Sequence, residues 1–110
     1  MTQTEHTQKI AKLNDQHRAR PGVGWVMTPG VQGLNALAIV QAVAAVKGFS
    51  DFSEDNDPYG ERDFGAFEID GRRLFWKIDY YDLNLALASP DPADPAVTRR
   101  VLTMMLAEEY

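Results

Sequence analysis

Lys77 and Asp79 stand two residues apart on a β-prone run, FWKIDYYD, with Asp63, Glu68 and Asp82 close by in the chain. Carboxylates around a lysine are the parts of a metal-dependent hydrolase acting on phosphodiesters: the acids hold divalent ions and the ammonium neutralises developing charge. The order of the residues argues against it. Nucleases of the restriction type use acid-x-Lys on the second hairpin strand, and here the order is Lys77-x-Asp79. Glu68 also stands across a hairpin from Arg73, where an ion pair would neutralise it. The hydrolase alternative therefore requires at least three of these carboxylates to reach one ion.

Other chemistries find less. The Asp- and Asn-rich stretch 51–63 suggests a calcium loop, and an EF-hand frame begun at Asp55 places Asp57 and Gly60 correctly. It fails at Tyr59, which occupies a ligand position, and at Ala66, where a bidentate Glu belongs. His6 and His17 share a helix face but lie about 16 Å apart at 1.5 Å per residue, too far to hold one ion. Ser50, Ser53 and Ser89 lack a G-x-S-x-G elbow, and no Gly-rich phosphate cradle is present. Zero cysteines remove thiolate chemistry and disulfides together. No catalytic residue, metal site or cofactor is assigned.

Charge and aromatic content point elsewhere. Ten of the sixteen acidic residues fall between Asp51 and Asp82, against four bases, so this segment carries −6 while residues 1–50 carry +3. The same segment holds seven of the nine Phe and Tyr residues. An acidic loop beside aromatic strands suits a protein-interaction module meeting a basic partner. Asp55, Asp57, Tyr59, Glu61, Asp63 and Tyr81 are the candidate contacts, with Asp57 and Glu61 expected to be ordinary surface charges of little weight in stability. Net charge −5 disfavours direct nucleic-acid binding. No secretory signal or membrane-length apolar run is evident, so a soluble cytoplasmic protein is the expectation.

The elements that position these residues follow from spacing. A chain of 110 residues predicts a single domain, 1–110. His6, Ile10, Leu13 and His17 predict a helix over 4–19, ended by Pro21-Gly22. Residues 23–28 are short and β-prone, a third strand for the sheet. An apolar run predicts a helix over 34–47, covered around most of its circumference and closed by Gly48 in the left-handed conformation. Left exposed, that helix would make the chain a homo-oligomer subunit. Asp70-Gly71 between β-prone runs predicts a hairpin over 64–80. Its core face holds Gly65, Phe67, Ile69, Leu74, Trp76, Ile78 and Tyr80. The other face, with Phe64, Phe75, Lys77 and Tyr81, is expected to lie under a helix. Asp94 as N-cap, Pro95 and the stripe Val97, Val101, Met104 and Met105 predict a last helix over 95–108. The fold class is α+β, a small antiparallel sheet packed with three helices.

Three stretches, EDNDPYGERDFG, FWKIDYYD and DPADPAVTRRVLTMMLAEEY, resemble a bacterial family catalogued as a domain of unknown function. The resemblance is strong over 49–110 and weak over 33–46. It implies a setting on plasmids and other mobile elements. There, small acidic proteins include inhibitors of host-defence or nucleic-acid-binding proteins. It supplies no catalytic residues.

Overall fold

Asp70 and Gly71 adopt φ values of 52° and 78°, the left-handed pair that a two-residue type I′ turn requires. In the computed structural model, which describes residues 1–110, this turn joins β2 (Phe64–Ile69) to β3 (Arg72–Tyr81). Pairing runs from Ile69 opposite Arg72 to Phe64 opposite Lys77, the register the turn dictates. Leu74, Trp76 and Ile78 are buried on one face, as the alternation predicts. Gly65 belongs there for want of room: a Cβ at that position would fall 2.3 Å from the Trp76 indole nitrogen.

The helix expected over 95–108 is instead a strand. β4 (Arg99–Leu106) pairs antiparallel with β3, from Leu106 opposite Leu74 to Arg99 opposite Tyr81, and ends in a short 3-10 turn at Ala107–Glu109. Val97, Thr98, Val101 and Thr103 are β-branched and lose side-chain freedom in a helix. A two-stranded hairpin is also marginal alone, and β4 completes it. Asp94 bonds the N–H of Ala96 in a local turn and caps no helix.

On its other edge β4 pairs in parallel with β1 (Trp25–Met27), giving the order β1-β4-β3-β2. The strand expected at 23–28 thus joins the sheet, but through β4 and not beside the hairpin. Three helices complete the α+β fold: α1 (Gln3–Arg18), α2 (Pro29–Gln32) and α3 (Ala36–Lys47). Thr2 caps α1 and Asn35 caps α3, each accepting a main-chain N–H of the first turn.

All three helices pack on one side of the sheet. Val31 of α2 and Ala42 and Val46 of α3 share a core with Leu74, Trp76, Ile78, Leu102, Met104 and Leu106. The opposite side has no helix over it, which corrects the expectation of a covering helix: the third of the expected helices is β4. There the C-terminal Tyr110 folds back onto Phe64 and Phe75, with ring centroids 6.0 and 5.5 Å away.

Two further expectations are corrected. Gly48 ends α3 at φ −95°, outside the left-handed region. α3 buries only the line Ala38, Ala42 and Val46, leaving Leu37 67% and Val40 64% exposed. It is wrapped on one side only. No helix is long and apolar enough to cross a membrane.

Candidate partner-binding surface

A buried polar line on α1 fixes the acidic loop to the sheet. The helix turns Ile10, Asn14 and Arg18 inward, while His6, Leu13 and His17 flank them half-buried. Asn14 is fully buried. Its amide donates to the Glu61 main-chain oxygen at 2.9 Å and to the Tyr80 hydroxyl at 2.8 Å, and its oxygen accepts from Arg100 Nε at 2.7 Å. Tyr80 donates in turn to a Glu61 carboxylate oxygen at 2.8 Å. Burial pushes the Tyr80 hydroxyl pKa well above its ordinary value, so it stays a protonated donor.

The loop also braces itself. Ser53 N–H bonds the Asn56 side chain at 2.8 Å, and Asn56 reaches the Asp51 carbonyl at 2.7 Å. Asp57 accepts the N–H of Arg62, which sits at a positive φ of 56°, and the Arg62 guanidinium reaches Asp15 at 3.0 Å. These are the local side-chain bonds by which Asp and Asn stabilise turns. Asp57 and Glu61 therefore brace the loop from within, and the expectation that they are ordinary surface charges is corrected. Asp55 and Tyr59 face outward, with Tyr59 81% exposed.

Asp63 leads from the loop into β2. Burial, reinforced by the charges of Glu61, Asp57 and Asp79, raises its pKa above the usual carboxylate value. A raised folded pKa means that ionisation opposes folding: the associated stability is present at low pH and fades as pH rises from about 4 through the folded pKa. Asp63→Asn should raise the melting temperature at pH 7 and have no such effect near pH 3. An unchanged or lowered melting temperature at pH 7 would refute this. Tyr81 is not gathered with the loop. It lies on the helix-free sheet face, whereas Glu61 and Tyr80 meet α1 on the other.

Beside the loop, at the β2 edge, is a recess of about 410 Å³. Phe64, Phe67 and Phe75 supply its apolar lining, and Asp51 and Glu68 bring carboxylates to it. The Arg73 guanidinium lies 5.6 Å from the Phe75 ring centroid. Arg73 and Glu68 face each other across the hairpin, but Arg73 stacks on the ring and no Glu68–Arg73 ion pair forms. An aromatic floor with acids nearby suits the aliphatic stem and cationic head of a lysine or arginine.

The five residues of the hydrolase reading do not assemble. Lys77 pairs with Asp79 at 2.8 Å, Asp82 is engaged in the turn after β3, and no three His, Asp or Glu side chains come together to hold an ion. His6 bonds Asp91 at 2.8 Å, and His17 bonds the Gly24 carbonyl at 3.0 Å.

Asn14, Arg18 and Arg100 organise this surface and were not singled out by sequence reasoning. The one available signal was their spacing: Asn14 and Arg18 continue the i, i+4 line that begins at Ile10.

No curated protein and no solved structure matches the chain. A family described as "Protein of unknown function (DUF3768)" matches residues 27–109, which includes the loop, the recess, strands β2 to β4 and the last residue of β1. The chain is a member of that family.

Proposed function

We propose that the protein is a non-enzymatic, cytoplasmic interaction module that engages a basic protein partner through the acidic loop and the recess beside it. The observation that carries this reading is the recess itself, lined by Phe64, Phe67 and Phe75 with Asp51 and Glu68 alongside Arg73. Tyr59, exposed on a loop whose base is tied to α1 and β3, is the aromatic anchor of the loop itself. Asp55 steers the encounter. Glu61 and Asp57 contribute by holding the loop's shape, and Asp63 adds a carboxylate to its field. Tyr81 shares the helix-free face with Phe64, Phe75 and Glu68 but does not line the recess, and it is left out of this contact. Inhibition of a host-defence or nucleic-acid-binding protein, by covering its basic surface, is the role that the charge suits.

The test is capture of a basic partner on immobilised protein in low and moderate salt, repeated with Tyr59→Ala and with Asp51→Asn/Glu68→Gln. Both variants should stay folded and bind about tenfold or more weakly, with the carboxylate variant losing its salt sensitivity. Unchanged binding in both, or no partner in either salt, would refute the reading. Exposed Leu37 and Val40 on α3 favour a second reading, self-association through that helix. Light scattering giving only a 12.3 kDa species at micromolar concentration would exclude it.

A further inference from the structure

We propose a second, independent binding site at the end of the sheet where β1 begins. It takes an acidic peptide segment that carries an apolar residue beside its carboxylate. Two recesses of about 310 and 320 Å³ share His17, Val23, Thr98 and Arg100 in their linings. Arg20 completes one and Arg99 and Leu85 the other, and no Asp or Glu lines either. Three arginines without a carboxylate among them stand out in a chain of net charge −5.

Their bonding leaves these cations free to receive an anion. Arg20 is exposed and enters no ion pair. Arg99 uses only its Nε, on the Leu83 carbonyl at 3.0 Å. Arg100 is half-buried, with its guanidinium held by two neutral acceptors, Asn14 Oδ1 and the Pro92 carbonyl, and stacked on Tyr80. Glu61, the carboxylate of that network, takes the Tyr80 hydroxyl instead. A recessed cation whose hydrogen-bond acceptors are neutral gains from an incoming carboxylate, and planar guanidinium forks suit that group.

The apolar half of the site is the turn that follows β3. Asp82 accepts the Ala86 N–H at 3.0 Å, its own N–H bonds the Leu87 carbonyl at 2.8 Å, and its carbonyl accepts from Leu85 at 3.0 Å. The turn is thus internally tied, yet it presents Leu83, Leu85 and Leu87 at 51%, 55% and 72% exposure, and Val23 nearby is 99% exposed. Apolar side chains shown to solvent on a fixed turn beside arginines are the composition of an interface core. The recession of Arg100 favours a flexible acidic side chain over a flat anionic lipid surface. A polyphosphate strand would be repelled by the chain's net charge.

This site does not depend on the acidic-loop reading, and panning a randomised peptide library on phage separates the two. The immobilised proteins are wild type, Arg20→Glu/Arg99→Glu, Leu85→Ser and Tyr59→Ala, with retained folding checked by circular dichroism. Arg100 is left intact because it binds Asn14. Wild type and Tyr59→Ala should both enrich sequences with Asp or Glu next to Leu, Ile or Phe. The double arginine variant and Leu85→Ser should lose that enrichment by about tenfold or more. The proposal falls if no acidic-apolar sequence is enriched, if the arginine variant enriches them equally, or if Tyr59→Ala alone abolishes them. It also falls if phosphatidylserine vesicles sediment the wild type through these arginines while the library yields nothing.

Discussion

Trp76→Ala should leave the chain largely unfolded in mild urea. Trp76 is fully buried, and its ring meets Phe49 and Phe52 edge-on at centroid distances of 5.5 and 6.1 Å. Removing such a side chain from a packed core costs about 3–5 kcal/mol. A domain of this size has a total stability of about 5–15 kcal/mol. The indole nitrogen has no hydrogen-bond partner, so Trp76→Phe, which keeps an aromatic ring, should cost clearly less than Trp76→Ala. Tyr59→Ala, on the exposed loop, should stay within about half a kcal/mol of wild type. Urea unfolding followed by far-ultraviolet circular dichroism ranks the three. If Trp76→Ala shifted the midpoint no more than Tyr59→Ala, the placement of the core would be refuted.

The hairpin around Trp76 was legible in the sequence because its information is local. Two residues, Asp70 and Gly71, determine the turn, the turn determines the register, and the period of two then assigns every side chain to a face. The C-terminal segment failed for the opposite reason. Asp94-Pro95 and the stripe through Val97, Val101, Met104 and Met105 satisfy a helix locally, but β4 is held by non-local pairing to β3 and β1. Arg99 and Arg100, inside the segment expected to be helical, instead lie at the start of a central strand. That single difference in period exposed one sheet face and created the arginine-lined cleft. In the acidic loop the charge was readable, but the division of labour was not. Asp57 and Glu61 differ from Asp55 only in what the fold brings to them: the Arg62 N–H in one case, Tyr80 and Asn14 in the other.

Arg18→Ala should be the most damaging change outside the hydrophobic core. Arg18 is 4% exposed, and its guanidinium donates to the Val46 carbonyl at 3.2 Å and the Phe49 carbonyl at 2.9 Å while pairing with Asp15. It also lies 5.3 Å from the Phe52 ring centroid and 5.1 Å from that of Trp76. One side chain thus joins α1 to the end of α3, to the start of the acidic loop and to the central tryptophan. Its loss strands the Phe49 carbonyl, at about 1–3 kcal/mol if left unsatisfied, and opens a cavity against the rings, while the Val46 carbonyl keeps the Phe49 N–H. A total of roughly 3–5 kcal/mol follows for breaking a buried charged contact of this kind. Arg18→Lys keeps the charge but has no planar fork to serve both carbonyls and stack on the rings, so it should recover little. Arg18→Met restores the packing without the donors, and the difference between Met and Ala measures the cavity's share. Amides of residues 49–57 should exchange faster in all three variants, because the loop's first half is anchored to α1 through this guanidinium. If Arg18→Lys were as stable as wild type, charge alone would suffice and the bidentate, stacked geometry would carry no weight. If Arg18→Ala loosened the loop with little loss of global stability, the clamp would serve to present the partner-binding surface rather than to hold the fold.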